Sequence, residues 1–504
     1  MAGWLRLAIP SVADSFFVAV VAAILLTPLA VRLLGDAGIG WHIRTGQLIL
    51  QTHAVPRVDP FSSTMGGRPW FAWEWLYDLV VGELEATAGL AGVVWFSTVV
   101  IAAAFAGVLH WLIRRGVNLF TALILVLLAF SASMIHLLGR PHVVSWLFTV
   151  AWFAILNRRE RDGMRGRRWL WVLPLLLLVW VNVHGGFLVG FALLFLFWLG
   201  ALWDYARASA DRIEDVLGKI EARRRVLGLT WVGLLTAVAS LINPYGWKLH
   251  AHIASYLSNR YLMDHIQEFQ SPDFHGVAQR CFVLLVLITL ATLALRGRSV
   301  GMSRFLVVLF AVYAGLYASR NLPVSSLLLV MAIGPEIGRS SGAGFSHRMA
   351  ALQLQLRGHL WPAAAIVLTL VLAAQGGRDG LQSAIHADFD PTRMPVKAVD
   401  YLEKQALTAP VLTPDSWGGY VIYRRYPRQR VVIDDRHDLY GEDFIKPYLK
   451  TMHGARGWPD FLSDHAVRCV LVPRDSALAS LLRQTTAWKA VYEDDVAVVF
   501  LPSR

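Results

Sequence analysis

Two regions of this 504-residue chain concentrate side chains able to move protons or hold anions. The first is GlyAspAlaGlyIleGlyTrpHisIleArgThrGly (35–46), ValProArgValAspProPheSerSer (55–63) and ArgProTrpPheAlaTrpGluTrpLeu (68–76). A positioned carboxylate can take or give a proton to a reacting group, which makes Asp36, Asp59 and Glu74 candidates. Asp36 directly follows an apolar run, at the depth where a carboxylate meets a membrane-borne substrate. Trp41, His42 and Arg44 follow within two turns. Asp59 before Pro60 also suits a turn. Glu74 between two tryptophans also suits a helix start, where negative charge complements the dipole.

The second region is four short segments: GlyArgProHis (139–142), AsnValHisGlyGly (182–186), AsnProTyrGly (243–246) and SerArgAsnLeuPro (319–323). Each sits at the end of an apolar run. Asn182, Asn243 and Asn321 are capping types as well as polar site candidates. A guanidinium binds phosphate oxygens bidentately, so Arg140 and Arg320 suit a lipid phosphate or pyrophosphate, with His142 and His184 as hydrogen-bond partners. Snorkelling to lipid headgroups is the other reading of the two arginines.

The elements that must position these residues are membrane helices. Of the chain, 56% is hydrophobic and only 16% charged, with mean hydropathy +0.49. Soluble domains carry roughly 25% charged residues, so a soluble enzyme is excluded. Two cysteines, Cys281 and Cys469, cannot build a disulfide framework or a cysteine-rich zinc site. A span needs about 20 apolar residues. About eleven are read, at 12–34, 88–113, 118–138, 142–157, 169–182, 186–204, 226–243, 281–296, 304–319, 322–338 and 360–376. The first is too long for a signal peptide and is followed by further spans.

Residues 381–504 hold 16 Lys/Arg and 16 Asp/Glu, so the net charge of +12 lies in the membrane part. There it reports orientation and not nucleic acid. Arg6, Arg114-Arg115, the 158–168 cluster, 205–225, Arg296/Arg298/Arg304 and Arg339/Arg348/Arg357 collect 21 basic residues on one side. The opposite loops hold about nine. The N-terminus is therefore expected in the cytoplasm, and the loop 35–87, the loop 244–280 and the tail outside. The segment 205–225 reads as an amphipathic interfacial helix.

The expected organisation is a transmembrane part, 1–376, and a soluble outside α/β domain, 377–504. In the tail, helices are expected near 395–405, 441–452 and 457–465. Strands are expected at 409–413, 431–434 and 469–473, with a Gly-Gly turn before 420–424. A hairpin joins 488–493 to 496–501 across Asp494-Asp495. No Gly-rich phosphate loop is present. AspAspArgHisAsp (434–438) has the side chains of a metal cluster, but the favoured reading is a polar surface docking on the outside loops, since Arg436 and Asp438 can form ion pairs.

The quoted first-loop motifs resemble a bacterial family of multi-spanning, GT-C-like glycosyltransferases. AsnValHisGlyGly, AsnProTyrGly, GluPheGlnSerProAspPhe (268–274) and ArgAsnLeuPro carry the resemblance through the membrane part. SerTrpGlyGlyTyr (416–420), IleAspAspArgHisAspLeuTyrGly (433–441) and LeuValProArgAsp (471–475) carry it through the tail. More distantly it is similar to lipid A aminoarabinose transferases, protein O-mannosyltransferases and oligosaccharyltransferases.

The resemblance implies a polyprenyl-phosphate-linked sugar as donor and a catalytic acid early in the first outside loop, the place Asp36 occupies. It also implies a multi-pass bacterial inner-membrane protein with its tail in the periplasm. Where such enzymes often show near-adjacent acids, Asp36 is followed by AlaGlyIleGly. A second carboxylate would come from Asp59, Glu74, Glu268 or Asp273, and a divalent metal, Mg or Mn, stays an open cofactor. The expectation is an inverting hexosyl or pentosyl transferase with an unspecified acceptor: glycan, lipid or protein. The alternative is a non-catalytic envelope-assembly component or a transporter of lipid-linked glycan precursors.

Overall fold

The structure is a computed structural model describing residues 8–162, 166–208, 213–337, 349, 352–356, 358–379 and 382–503. All eleven expected apolar stretches fall on helices. Among the described residues, four helices have the length and composition to cross a membrane: Trp75–Arg114, Leu119–His136, Phe187–Arg207 and Val277–Arg296. Two of the four, Leu119–His136 and Val277–Arg296, contain neither proline nor glycine to interrupt their ladder. In Trp75–Arg114, Gly89 at φ +61 puts a kink where the sequence suggested a helix start.

The expected first span, 12–34, is two helices, Val12–Leu25 and Leu29–Leu33. Pro28 sits between them, and a proline can neither donate to the ladder nor fit beneath the preceding turn. Ser11 and Asp14 form a reciprocal capping box at its start. The expected interfacial helix at 205–225 is also different. Phe187–Arg207 ends first, and Ile213–Ser240 runs on without a break into the next apolar stretch. Charges at this end pair locally, Arg159 with Glu221 at 2.7 Å and Arg225 with Asp204 at 2.9 Å. Arg339, Arg348 and Arg357 lie outside the described residues.

After Leu360–Ala374 the chain builds a four-stranded sheet in the order Val411–Leu412, Cys469–Pro473, Ala497–Pro502, Trp488–Glu493. The first pair is parallel and the others antiparallel. The expected hairpin is present, with the Asp494 carboxylate accepting from the Val496 and Ala497 amides. Side chains alternate between the faces of a strand. Cys469, Leu471, Ala497 and Val499 accordingly join the core that runs up from the membrane helices. Val470, Val472, Val498 and Phe500 join a second core with Phe444, Tyr448, Phe461 and Leu482. That second core also takes in Met65, Leu262 and Phe269 from the outside loops.

The sheet does not stop at Val411. Val431 bridges to Val411, and Ser62 of the first loop bridges to Val431. Val431 N–H donates to Phe61 O (3.3 Å) and Ser63 N–H to Val431 O (2.8 Å). Loop and tail are thus stitched through their backbones, which satisfies groups that would otherwise be exposed on a sheet edge.

The expected Gly-Gly turn is helical. Asp415–Arg425 is one helix containing Gly418 and Gly419. It packs on Ile39–Thr52 so closely that a Cβ on Gly419 would lie 2.2 Å from Ala37 O. Glycine is there for proximity, which a pattern reading takes for a turn.

Candidate functional site

The segments singled out from sequence meet at one end of the helices. Asp36 lies in the turn after Leu29–Leu33, where its Oδ1 accepts from Gly38 N–H at 2.8 Å. Its Oδ2 accepts from Arg140 Nη1 at 2.8 Å. Arg140 stands just before the helix His142–Asp162, held there because Gly139 N–H donates to Leu33 O and Tyr77 Oη donates to Gly139 O. The same Nη1 donates to Asp435 Oδ2, also at 2.8 Å. Asp435 Oδ1 in turn accepts from Trp41 Nε1–H. Burial raises the Asp435 carboxyl; Arg140 pulls it back and Asp36 pushes it up again, leaving it at about 6.

Glu74 stands at the N-cap position of the helix Trp75–Arg114. Asn182 fixes that start, its Oδ1 accepting from Trp75 Nε1–H and its backbone oxygen from Leu76 N–H. The Asn182 amide donates to Leu178 O and Ile242 O, tying three helix ends together. Glu74 Oε2 lies 3.7 Å from His42 Nε2, and Glu74 Oε1 lies 3.7 Å from His184 Nε2. His184 Nδ1 accepts from Gly186 N–H and stands 2.8 Å from Ser145 Oγ, so in the neutral ring Nε2 carries the proton. His42 is fully buried, with Nδ1 2.6 Å from Asp78 Oδ1 and Nε2 unpartnered. Burial pushes Glu74 up to about 8, with Arg140 only partly opposing it, so the acid holds its proton at neutral pH. Burial, reinforced by Arg140, holds His42 well below the usual imidazole value.

A third group completes the cluster. Arg320 Nη1 is 3.3 Å from Glu268 Oε1, and its guanidinium covers the Phe269 ring at 4.5 Å. Desolvation raises the Glu268 carboxyl, and Arg320 and then Arg140 overturn that and leave it at about 2. The His142 ring lies 6.5 Å from that of His184, with its Nε2 2.9 Å from His136 O.

Other candidates hold the frame. Asp59 is buried and accepts from the Phe61 and Ser62 amides, the Ser62 hydroxyl and Arg436 Nη2. Arg436, between Asp59 and Asp434, lies over the Trp70, Phe61 and Trp41 rings at 4.6, 5.2 and 5.8 Å. Arg44 donates through Nε to Tyr423 O at 2.7 Å, clamping the tail helix. Asn243 closes its own turn, and Tyr245 from that turn holds the first loop through Ala72 N–H and Pro56 O. Asn321 donates to Ala314 O, and Asp273 caps its own turn. The acid beside Asp36 is Asp435, which was not among the second carboxylates expected from sequence. Only the docking of 434–438 was legible there. His252 with Asp438 at 2.9 Å and Arg436 with Asp59 at 2.8 Å are the ion pairs of that docking.

No family model and no curated protein sequence matches the chain. Solved structures do. The oligosaccharyltransferase of Archaeoglobus fulgidus in its apo form aligns with TM-score 0.53 at 12% identity, covering 91% of this chain and 69% of that one. AglB from Archaeoglobus fulgidus, in complex with an inhibitory peptide and a dolichol-phosphate, gives 0.52 at 12% identity over 92% and 69%. ArnT from Cupriavidus metallidurans in the apo state gives 0.50 at 14% identity over 96% and 97%.

The chain has a GT-C-like fold. The resemblance drawn from motifs and the similarity of architecture agree on this, with the tail included in the match. A further Archaeoglobus fulgidus structure is a complex with Zn and sulfate. The space between Asp36 and Asp435 is taken by Arg140 Nη1, and among the described residues no three His, Cys, Asp or Glu converge. In this GT-C-like chain a guanidinium sits where two carboxylates face each other.

Proposed function

We propose that this protein is a membrane glycosyltransferase moving a sugar from a polyprenyl-phosphate donor to an acceptor hydroxyl on the extracytoplasmic side, with inversion. The observation carrying this reading is the Asp36–Arg140 contact, which sets a carboxylate and a cation one hydrogen bond apart at the helix ends. In the reaction the acceptor hydroxyl gives its proton to Asp36 as its oxygen attacks the anomeric carbon. The bond from that carbon to the phosphate oxygen breaks, and the lipid phosphate leaves with added negative charge. A single displacement inverts the centre.

In this reading Arg140 and Arg320 stabilise the charge that develops on the phosphate. When Arg140 turns to the phosphate, the Asp36 oxygen it held is freed to accept the proton of the acceptor hydroxyl. The other acids suit the base role less. Glu74, at about 8, keeps its proton, Glu268, at about 2, is a weak acceptor, and Asp59 is engaged by four donors. Glu74 and His184 are left as hydrogen-bond donors to the donor's polar groups. The fold supports the reading, since AglB was solved with a dolichol-phosphate.

Purified protein in liposomes, given radiolabelled polyprenyl-phosphate sugars and candidate acceptors, tests it. Time-dependent transfer is expected, with Asp36→Asn reduced about 10²–10⁴-fold, the usual worth of a positioned base. Full activity in well-folded Asp36→Asn would remove the base assignment. Movement of intact donor across the bilayer without transfer would favour the transporter reading.

A further inference from the structure

Asp435 belongs to a five-residue segment in which every other charged side chain is already committed. Asp434 accepts from Arg436 through both oxygens, and Tyr440 Oη donates to it. Arg436 reaches Asp59 in the first loop. His437 Nε2 lies 2.7 Å from Asp415 Oδ2, and Asp438 Oδ2 lies 2.9 Å from His252 Nε2. These contacts pin the segment to three separate elements, so it cannot swing away as a flap. Asp435 alone points from it at Arg140. The fit is close, since a Cβ on Gly38 would lie 2.4 Å from Asp435 Oδ2 and 2.7 Å from Arg140 Nη1.

A guanidinium that binds phosphate bidentately needs two N–H groups free on one edge. Arg140 already spends Nη1 on two carboxylates, which aim its fork and share its charge before any phosphate arrives. We infer that Asp435 is a positioning residue supplied by the tail, aiming Arg140 and competing with the donor's phosphate for it. This rests on the proposed reading that Arg140 receives a lipid phosphate. Because the backbone of 434–438 is pinned, Asp435 yields by rotating or by taking a proton. The charged groups acting on it are Arg140, Asp36 and Glu74 from the membrane part, and Asp434 and His437 from its own segment. Trp41 faces it with a neutral donor.

The test is binding, which needs no turnover. The probe is a polyprenyl methyl phosphate diester in nanodiscs, whose phosphate does not titrate between pH 5 and 8. Wild type is expected to bind it more weakly as pH rises through about 6, where Asp435 ionises and takes Arg140 back. Asp435→Asn should bind about tenfold tighter at pH 7.5, one competing charge-assisted contact having gone, and should lose that pH slope. His437→Gln, which removes a neighbouring imidazole paired with Asp415, should keep the slope. Equal affinity and equal slope in Asp435→Asn and wild type would overturn the inference, as would absence of diester binding at every pH. Should Asp435→Asn fail to fold, the slope in wild type and His437→Gln decides. A protein that shows the competition yet never transfers sugar would sink the transferase reading and leave this one standing.

Discussion

At the scale of residues, the cluster separates side chains by what surrounds them. Arg140 and Arg320 keep charge in either residue choice, but only arginine offers a planar fork. Arg140→Lys and Arg320→Lys should therefore raise the donor KM, each losing part of a contact worth roughly 1.5–3 kcal/mol. If the two merely reach headgroups, lysine restores full activity, so KM for the donor in the two variants decides. Glu74 makes a prediction about pH. Its folded-state carboxyl is raised to about 8 against an ordinary 4.5. Between these values the folded chain holds a proton that the unfolded chain has lost. Stability from this group is thus full below about 4.5 and falls as pH rises through 8. Melting temperatures in detergent from pH 5 to 9 should decline more steeply for wild type than for Glu74→Gln, and identical slopes would remove the argument.

At the scale of elements, the tail shows how local signals mislead when their cause is tertiary. The strands 469–473 and 497–502 were readable, because short β-branched runs suit a sheet covered on both faces. Their alternation proves to divide two cores, one of them shared with the membrane helices. Gly418-Gly419 reads as a turn by composition. It is helical because the helix Asp415–Arg425 must approach Ile39–Thr52 more closely than any side chain permits. Gly419→Ala places a methyl group 2.2 Å from Ala37 O. Overpacking of this kind costs about 1–3 kcal/mol, so the variant should melt lower and its tail should be cleaved faster by protease. An unchanged cleavage rate would show that the interface relaxes freely.

At the scale of the whole molecule, the first loop, the 244–280 loop and the tail form one body over the helix ends. The loop adds a bridge to the tail's sheet, and Arg436, Arg44 and His252 tie the parts together. The proposed orientation places this body outside the cell, opposite the 158–168 basic cluster. A reporter that is active only outside the cytoplasm should work when fused behind residue 504 and stay silent within 158–168. The reverse pattern would invert the topology and put the proposed chemistry on the cytoplasmic face.

Apolar run length, helix-breaking residues and side-chain type act over a few positions, and each leaves a local mark. That is why the membrane class, the helix positions and most of the polar cluster were legible in the chain itself, including Asp36, Glu74, Arg140, His184 and Arg320. Pairing across distance leaves none. Asp434 and Asp435 are identical neighbours in sequence. Only the tertiary fold, which seats Arg436 between Asp434 and Asp59, turns Asp435 onto a guanidinium 295 positions earlier. The same holds for Asp59, whose carboxylate is taken by Arg436 because tail and loop share one sheet edge. Side-chain chemistry was written locally; which carboxylate faces which cation was decided by how the tail closes over the helices.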